Sequence, residues 1–273
     1  MHKTVSYLAS LLLSLAVLAM PATAAAQPTP GAPSILPPEG RHYGRTYGEW
    51  GAAFWQWLGP QLAADEANCG GPSPTPGVWF GGGGPVGGEP ITLACTVPAD
   101  TALFFPVLTA ECSEAEGNGT TEAELRACAI ELVDAITDAA VTIDGAAVQV
   151  IPRYRAQSPL FTFTLPQDNL FGAPPGPTRA IADGYWIMLA PLSPGKHTVS
   201  FHAVISPPDA EPISTTVTVE ITVAGVGTMP SLPNTGAGGR ARPGAGPQAV
   251  VAGLGSVALL ALVVGLALRR RVT

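Results

Sequence analysis

Two histidines and an aspartate in the last third of the chain are the first candidates for catalysis. A hydrolase brings together a nucleophile, a general base and a group that orients the base. His197 or His202 could act as the base, with Asp183 as the orienting group and a serine as the nucleophile. Neither a GxSxG elbow nor an HExxH helix supports this assembly. Thr198, Ser200 and His202 alternate with apolar residues, which favours a solvent-facing strand histidine.

Three glutamates ahead of a helical segment form the second candidate group. Glu111, Glu114 and Glu116 could serve general acid catalysis or bind calcium through their carboxylate oxygens. Their position in a polar stretch before the helix favours a solvated acidic loop instead. The sequence therefore assigns no catalytic residue, no metal ligand and no cofactor, and an enzyme is the less favoured of two hypotheses.

The last 42 residues combine a short motif, an apolar span and a basic end. The motif is LPNTG at residues 232–236, and a spacer follows it to residue 248. Residues 249–268 carry no charge, and at ~1.5 Å per residue they form a transmembrane helix roughly 30 Å long. The basic tail, residues 269–273, stays on the cytoplasmic side by the positive-inside rule, so the motif lies on the outer side.

This arrangement resembles the LPxTG cell-wall sorting signal of Gram-positive-type bacterial surface proteins. The resemblance implies that a sortase cuts after Thr235 and joins its carboxyl group to an amine of the peptidoglycan precursor. The sorting signal consists of Leu232, Pro233, Asn234, Thr235 and Gly236. The alternative is a single-pass membrane protein that retains its tail, and the long spacer with Arg240 and Arg242 slightly favours that alternative.

The start of the chain predicts export. Residues 1–26 have a positive start, an apolar stretch and small residues suited to cleavage after Ala24 or Ala26, the pattern of a signal peptide. Signal peptidase and the export machinery are therefore expected partners, and the cell wall or cell surface is the expected location. The mature piece, residues 27–235, retains seven of 13 basic residues and all 20 acidic ones, a balance of −13. This charge argues against nucleic acid as a partner, because nucleic acid attracts clustered Lys and Arg.

Four cysteines, an even number in an exported chain, predict disulfides. Of the three pairings we favour neighbours in sequence, Cys69–Cys95 and Cys112–Cys128. Each closes a short loop, which stabilises the fold by roughly 3 kcal/mol in the chain-entropy model. Buried free thiols are the alternative, and a zinc site is less favoured because the chain has no CxxC pair.

Two helices are expected in the mature chain. Capping boxes at residues 46–49 and 121–124 begin helices over residues 46–58 and 121–138. The second helix should bury a row of residues that ends at Ile136. The first carries Trp50, Trp55 and Trp57, which could stack on a sugar ring, although burial of the rings against the domain is the simpler interpretation.

Short apolar or alternating segments separated by Pro and Gly predict strands. They cover residues 77–80, 91–97, 102–108, 141–143, 147–151, 160–165, 185–189, 197–204 and 213–223. Residues 81–88, GGGGPVGG, are interpreted as a flexible surface loop, since no helix follows their formal GxGxxG match. The fold class is mainly β (α+β), an antiparallel β-sandwich with two helices. The predicted parts are a flexible lead-in (27–41), one ectodomain (42–224) and a linker with the motif and spacer (225–248).

Three stretches of the ectodomain resemble a family of secreted bacterial proteins without an assigned activity. They are YGEW with FWQW in residues 47–57, CTVP with LFFPV in residues 95–107, and DGYW with PLSPGKH in residues 183–197. The resemblance supports one folded unit over most of residues 46–223 and carries no catalytic residue. We therefore favour a non-enzymatic binding or structural surface protein over an anchored enzyme that acts on polysaccharide or peptide.

Overall fold

The computed structural model describes residues 33–63, 67–84, 86–148, 152–208 and 210–225. The predicted signal peptide, the LPNTG motif, the spacer, the apolar span and the basic tail lie outside these residues. Within the described ranges, no helix combines the length and the apolar character that a membrane crossing needs. This part of the chain is mainly β, with two α-helices and two sheets of mixed strand orientation.

The described residues form eleven strands and two α-helices. The strands are β1 (Ile35–Leu36), β2 (Asn68–Pro72), β3 (Val78–Gly83), β4 (Ile91–Val97), β5 (Ala102–Ser113), β6 (Ile136–Ile143), β7 (Ala146–Val148), β8 (Phe161–Leu165), β9 (Gly176–Leu189), β10 (Gly195–Ile205) and β11 (Ile213–Val223). The helices are α1 (Tyr47–Leu58), which continues into a 3-10 turn at Gly59–Gln61, and α2 (Glu122–Asp134).

Both helices begin at the predicted capping boxes. Thr46 accepts a hydrogen bond from the Glu49 N–H while the Glu49 carboxylate accepts one from the Thr46 N–H, and Thr121 and Glu124 repeat this arrangement in α2. These reciprocal bonds satisfy N–H groups that the first turn of a helix leaves without a partner. The helix starts are therefore confirmed.

The end of the second helix differs from the prediction. α2 ends at Asp134, and its buried face consists of Leu125, Ala129 and Val133. The prediction that Ile136 continues this face is wrong, because Ile136 begins β6 and pairs with Ile205 of β10. Pairing with a neighbouring strand here overrides the helical periodicity of the local sequence.

Two parallel pairings depart from the predicted antiparallel sandwich. The first sheet has the order β1-β9-β5-β3-β2, with β8 also on β9, and the second has the order β4-β11-β10-β6-β7. β3 runs parallel to β5, and β4 runs parallel to β11. After β3 the chain leaves the first sheet, forms β4 at the edge of the second sheet and returns to the first sheet as β5. β3 and β5 therefore run in the same direction. The purely antiparallel prediction is therefore wrong, although the two-sheet, mainly β class is confirmed.

The two sheets pack against each other, α1 covers the opposite face of the first sheet, and α2 packs on β5 and β9 through Cys112 and Ile181. Between the sheets, the rings of Phe105 and Phe201 lie 5.8 Å apart. Under α1, the stacked rings of Phe104 and Trp186 lie 5.2 Å apart, next to the fully buried Trp50. One hydrophobic core thus extends through the helix layer and both sheets.

Both favoured disulfides are present. Cys69–Cys95 joins β2 of the first sheet to β4 of the second, with a Cα–Cα distance of 5.5 Å. Cys112–Cys128 joins β5 to α2, with a Cα–Cα distance of 6.1 Å. Each disulfide therefore connects two layers, and the pairing of sequence neighbours is confirmed.

Part of the predicted lead-in belongs to the first sheet. Ile35 and Leu36 form β1 and pair with Leu189 and Met188 of β9. The Tyr47 hydroxyl donates a 2.7 Å hydrogen bond to the Leu36 carbonyl and accepts one from the Met188 N–H. These two residues of the predicted lead-in are therefore part of the first sheet.

Candidate functional site

A gap in the first sheet opens where β3 and β5 stop pairing. Their parallel ladder ends at Phe80 and Phe104. Beyond that point β3 continues as Gly81–Gly83 and pairs only with β2, while β5 has an irregular register between Pro106 and Leu108. A cavity of about 270 Å³ lies in this gap. We call it the sheet-gap cavity.

The sheet-gap cavity reaches from the helix layer to the second sheet. Its lining comes from α1 and the turn after it, from the β3 glycines, from the irregular part of β5, from the loop before β9 and from β10 and β11. The residues are Phe54, Trp55, Trp57, Leu58, Gln61, Leu62, Asn68, Gly81, Gly83, Gly84, Val86, Pro106, Val107, Leu108, Thr109, Leu170, Phe171, Phe201, Thr215 and Val217. Most of the apolar members are buried, whereas Gln61, Asn68, Gly84 and Val86 are exposed and mark the rim.

The three candidate stacking tryptophans occupy different places. Trp50 is fully buried in the core, where its indole N–H donates to the His42 carbonyl, and it does not line the cavity. Trp55 lines the cavity from a buried position and donates to the Thr109 hydroxyl over 3.3 Å. Trp57 lines it as a half-buried side chain, packed on Phe54 and Phe80. The structure thus brings together Trp55 and Trp57 and separates Trp50 from them.

The polar side chains of the lining are largely committed to the protein itself. The Thr109 hydroxyl donates to the Asp183 carbonyl over 2.8 Å and accepts the Trp55 N–H. The Gln61 amide donates to the Trp57 carbonyl, and the Asn68 side-chain oxygen accepts the Gly70 N–H. No charged side chain belongs to the lining formed by the described residues. The cavity therefore offers apolar and aromatic surface and little unused hydrogen-bonding capacity.

The glycines of β3 correct an expectation from the sequence. Residues 81–83 were expected in a flexible surface loop, but they continue β3 and pair with β2. β2 is itself connected to the second sheet by the Cys69–Cys95 disulfide. The loop interpretation is wrong because glycine's weak strand propensity is overridden by this pairing.

His197 does contact a serine and an aspartate, although the aspartate is not the predicted one. Its Nδ1 lies 2.8 Å from Asp144 Oδ2, and its Nε2 lies 3.2 Å from Ser193 Oγ. However, Nε2 is closer to the Ser193 carbonyl oxygen, at 2.9 Å. A general base needs a free lone pair directed at the nucleophile's hydroxyl, whereas this nitrogen faces a hydrogen-bond acceptor. The cluster instead connects the turn before β10 to the hairpin between β6 and β7.

Asp183 serves a different partner. It is almost fully buried, and its carboxylate accepts hydrogen bonds from Arg155, with the shortest distance 2.7 Å. It also accepts the Gly184 N–H. The proposed assembly of Asp183 with a histidine is therefore wrong. His202 is half-buried beside Thr216, whose hydroxyl lies 2.9 Å from its Nδ1, as expected for the polar side of a strand.

One sequence signal at this place was missed. Ser193 and Lys196 match SxxK, a spacing found in penicillin-binding proteins and β-lactamases. Here the two residues span the turn into β10, so the three-residue spacing does not stack them on one helix face. Neither residue lines the sheet-gap cavity. The match therefore adds no support for catalysis.

The three candidate glutamates lie in different environments. Glu114 forms an ion pair with Arg179. Glu116 accepts a 2.8 Å hydrogen bond from the Ser113 hydroxyl. Glu111 is buried, with no hydrogen-bond donor to either carboxylate oxygen among the described residues. Burial, reinforced by the adjacent Glu116 carboxylate, raises the pKa of Glu111 well above its ordinary value. The solvated-loop expectation is thus wrong for Glu111.

The positions of the three glutamates support neither general acid catalysis nor metal binding. Glu111, Glu114 and Glu116 do not line the sheet-gap cavity. In the part of the chain that the structure describes, no three His, Cys, Asp or Glu side chains are grouped so that they could hold a metal ion. Among the groups considered, only the residues of the sheet-gap cavity form one continuous site. Its contributions from Phe171, Phe201 and the β3 glycines were not predicted, because no local pattern indicates which distant strands meet.

Comparisons with known proteins add little. No family model matches the chain, and no curated protein matches it. Among solved structures, PbICP-C from a complex with falcipain-2 is 11% identical, with 54% of this chain and 98% of that chain covered and a TM-score of 0.22. The cysteine protease inhibitor EhICP2 from Entamoeba histolytica is 11% identical, with 50% and 94% covered and a TM-score of 0.18. Amebosin is also 11% identical, with 50% and 99% covered and a TM-score of 0.15. TM-scores this low establish neither a shared fold nor a shared activity.

Proposed function

We propose that this chain is an exported surface protein that a sortase joins to peptidoglycan through Thr235, and that its β-rich domain is a non-enzymatic binding module. One observation carries the anchoring: LPNTG, an uncharged span and an Arg triplet follow one another at the end of a chain that starts with a signal-peptide pattern. The sheet-gap cavity supports the binding role. The resemblance to secreted bacterial proteins stays a prediction.

The end of the domain leaves room for a transpeptidase. β11 ends at Val223, and eight residues separate it from Leu232. At ~3.3 Å per extended residue, eight residues reach up to about 26 Å. An extended LPNTG segment at that distance can enter an enzyme groove without disturbing β11. The two disulfides are typical of exported proteins, which fits the same location.

Two alternatives remain to be distinguished by experiment. One is a single-pass membrane protein that retains residues 236–273. The other is an anchored enzyme, for which the contact of His197 with Ser193 is the only specific observation among the described residues. The commitment of His197 Nε2 to the Ser193 carbonyl argues against the enzyme. A fluorophosphonate probe should leave Ser193 unlabelled, and stoichiometric labelling would favour the enzyme.

Anchoring is tested by mass spectrometry of protein that a muramidase releases from purified cell walls. We expect a C-terminal peptide that ends at Thr235 and carries a peptidoglycan fragment. Recovery of the tail through Arg271, with protein found only in detergent-soluble membrane, would establish the membrane protein instead.

A matched pair of variants sharpens this experiment. Thr235→Ala removes the residue whose carboxyl group is transferred, and we expect wall-bound protein to fall by more than tenfold. Asn234→Ala changes the neighbouring motif position, which is variable in the LPxTG pattern, and it should leave the wall-bound amount unchanged. Equal anchoring of both variants would contradict attachment at Thr235.

A further inference from the structure

We infer that the sheet-gap cavity binds an uncharged aromatic molecule of one or two rings, about the size of indole. The inference rests on the proposed binding role of the domain, but not on attachment at Thr235. It follows from the origin of the space, from the rings that line it, from its lack of charge and from its volume.

The space exists because β3 carries glycines where side chains would fill it. A Cβ added at Gly81 would lie 2.1 Å from the Phe105 ring, so that ring already occupies the place of the missing side chain. Gly83 lies two residues further on, and so on the same face of the strand. A Cβ added there would meet nothing within 4 Å. Protein interiors are normally close-packed, so a guest in this space would gain contacts that the chain itself leaves unmade.

Aromatic rings form much of the wall. They belong to α1, to the loop before β9 and to the second sheet: Phe54, Trp55, Trp57, Phe171 and Phe201. Aromatic rings attract one another in offset and edge-to-face arrangements, beyond the burial of apolar area. A wall built from several rings therefore favours an aromatic guest over an aliphatic one of the same volume.

The polar character of the lining excludes charged and heavily hydroxylated guests. No charged side chain lines the cavity among the described residues, and the Thr109 hydroxyl is already bonded on both sides. A sugar would exchange its hydrogen bonds with water for few new ones, and an unsatisfied buried polar group destabilises a complex. One polar group could remain at the rim beside the exposed Gln61 and Asn68. The sugar-stacking hypothesis from the sequence is thereby replaced by a more apolar ligand.

The volume sets the size of the guest. The cavity volume is about 270 Å³. A dry apolar cavity of about 150 Å³ already binds benzene in an engineered protein, so a second fused ring is compatible with the larger volume here.

Binding is tested with 5-fluoroindole and the full chain in lipid nanodiscs, observed by fluorine NMR. Empty nanodiscs measure how much probe partitions into lipid. We expect saturable binding at one site per chain, with a dissociation constant below about 1 mM for so small a ligand. The absence of saturable binding above the nanodisc baseline would overturn the inference.

Filling the cavity should abolish this signal. Gly83→Phe places a ring in the open space, and we expect at least tenfold weaker binding. Gly225→Phe is the matched control, because a Cβ at Gly225 also meets nothing within 4 Å and the residue lies outside the lining. Far-UV circular dichroism checks folding, and Gly83→Leu replaces Gly83→Phe if the larger ring prevents folding. Unchanged binding in a folded Gly83 variant would contradict the site.

Competition identifies the class of ligand. Unlabelled indole should displace the probe, whereas 1-octanol and N-acetylglucosamine oligomers should displace it at least tenfold less well. Equal displacement by octanol would indicate an acyl-chain site, and displacement by the oligomers would indicate a sugar site. Either result overturns the aromatic assignment. The cell-wall mass spectrometry reports on anchoring separately, so a failure of one hypothesis is not mistaken for a failure of the other.

Discussion

The two faces of β3 are packed in opposite ways. On the helix side, the Phe80 ring contacts Trp50, Phe54 and Trp57 at centroid distances of 5.4–6.1 Å. On the side that faces the second sheet, Gly81 and Gly83 present no side chain, and a cavity remains. β3 thus has one face that is closely packed and one face that borders the cavity.

This difference separates residues that stabilise the fold from residues available for binding. Trp50 and Phe80 are fully buried and do not line the cavity, so their substitution acts on stability. Residues around the cavity have space on one side, so their substitution should act more strongly on ligand binding than on stability. The distinction can be tested by paired substitutions on the two sides.

The largest effect is expected in the filled layer. Trp50→Ala removes a ring with 0% exposure and its hydrogen bond to the His42 carbonyl. We expect a loss of about 3–5 kcal/mol in the free energy of unfolding, as for other buried aromatic truncations. Urea unfolding of secreted residues 27–231, followed by circular dichroism, measures it.

Trp57→Ala is the matched truncation of a ring on the same helix that lines the cavity. The Trp57 ring is half-buried, so we expect a smaller loss, below about 2 kcal/mol, together with weaker 5-fluoroindole binding. Equal losses of stability for the two tryptophans would remove the proposed distinction between rings of the filled core and rings that line the cavity.

The disulfides offer a second comparison, one far from the cavity and one beside it. Cys112–Cys128 attaches α2 to β5, and Cys69–Cys95 joins β2 of the first sheet to β4 of the second sheet. Their sequence separations of 16 and 26 residues predict stabilisation of about 3 and 3.5 kcal/mol in the chain-entropy model. Replacing each pair by alanines and repeating the urea titration tests these values. Because β2 borders the cavity through Asn68, loss of Cys69–Cys95 should also weaken probe binding, and loss of Cys112–Cys128 should not.

Two glycine substitutions on one face form the third comparison. Gly81→Ala forces a methyl group against the Phe105 ring, and we expect a loss of about 1–3 kcal/mol from overpacking. Gly83→Ala meets open space, and it should be neutral or stabilising by up to ~1 kcal/mol because it restricts the unfolded chain. Thermal unfolding distinguishes the two. A Gly83→Ala variant as unstable as Gly81→Ala would show that the space at Gly83 is not open.

A pH-dependent comparison concerns Glu111, which follows Ala110 and precedes the disulfide-bonded Cys112. Burial, and then the Glu116 carboxylate, raise the pKa of Glu111 well above its ordinary value of about 4.5. Above pH 4.5 the unfolded chain loses this proton while the folded chain keeps it, so the folded state loses stability as pH rises. The slope reaches up to about 1.4 kcal/mol per pH unit until the folded pKa is passed.

Glu111→Gln replaces the carboxyl group that titrates with an amide that does not. We expect the stability difference between the variant and the unchanged chain to grow in favour of the variant from about pH 4.5 upward. Urea midpoints measured from pH 4 to pH 8 provide the test, with Glu122→Gln on the exposed start of α2 as a control. Parallel pH profiles for all three proteins would contradict a protonated Glu111 in the folded state.

Local signals predicted much of the secondary structure. The capping boxes at Thr46 and Thr121 mark helix starts, and the Asp144-Gly145 turn joins β6 to β7 between the predicted strands 141–143 and 147–151. The bounds of β4 and β11 agree with the predicted segments. In each case the determining interactions lie within a few residues of one another, and a short window of sequence contains them.

Features that depend on distant strands were not predictable in the same way. Gly81–Gly83 form a strand only because β2 is present as a partner. Glu111 is buried only because of where β5 lies in the sheet, and Asp144 meets His197 across 53 residues. The sheet-gap cavity belongs to this class as well, since its wall combines α1 with residues of β10 and β11. A local pattern of residue types does not indicate which distant residues come into contact.

The position of β11 has a mechanical consequence if the chain is held at Thr235. Any pull on a domain tethered there enters through β11, the last strand of the described residues. β11 is bonded on both sides, to β10 over eleven residue pairs and to β4 over seven. Because these hydrogen bonds lie across the strand, a pull along its axis loads them together in shear instead of opening them one by one. The strand nearest the tether is thus placed to bear the drag of flow or of a captured ligand, and it also forms part of the cavity wall through Thr215 and Val217.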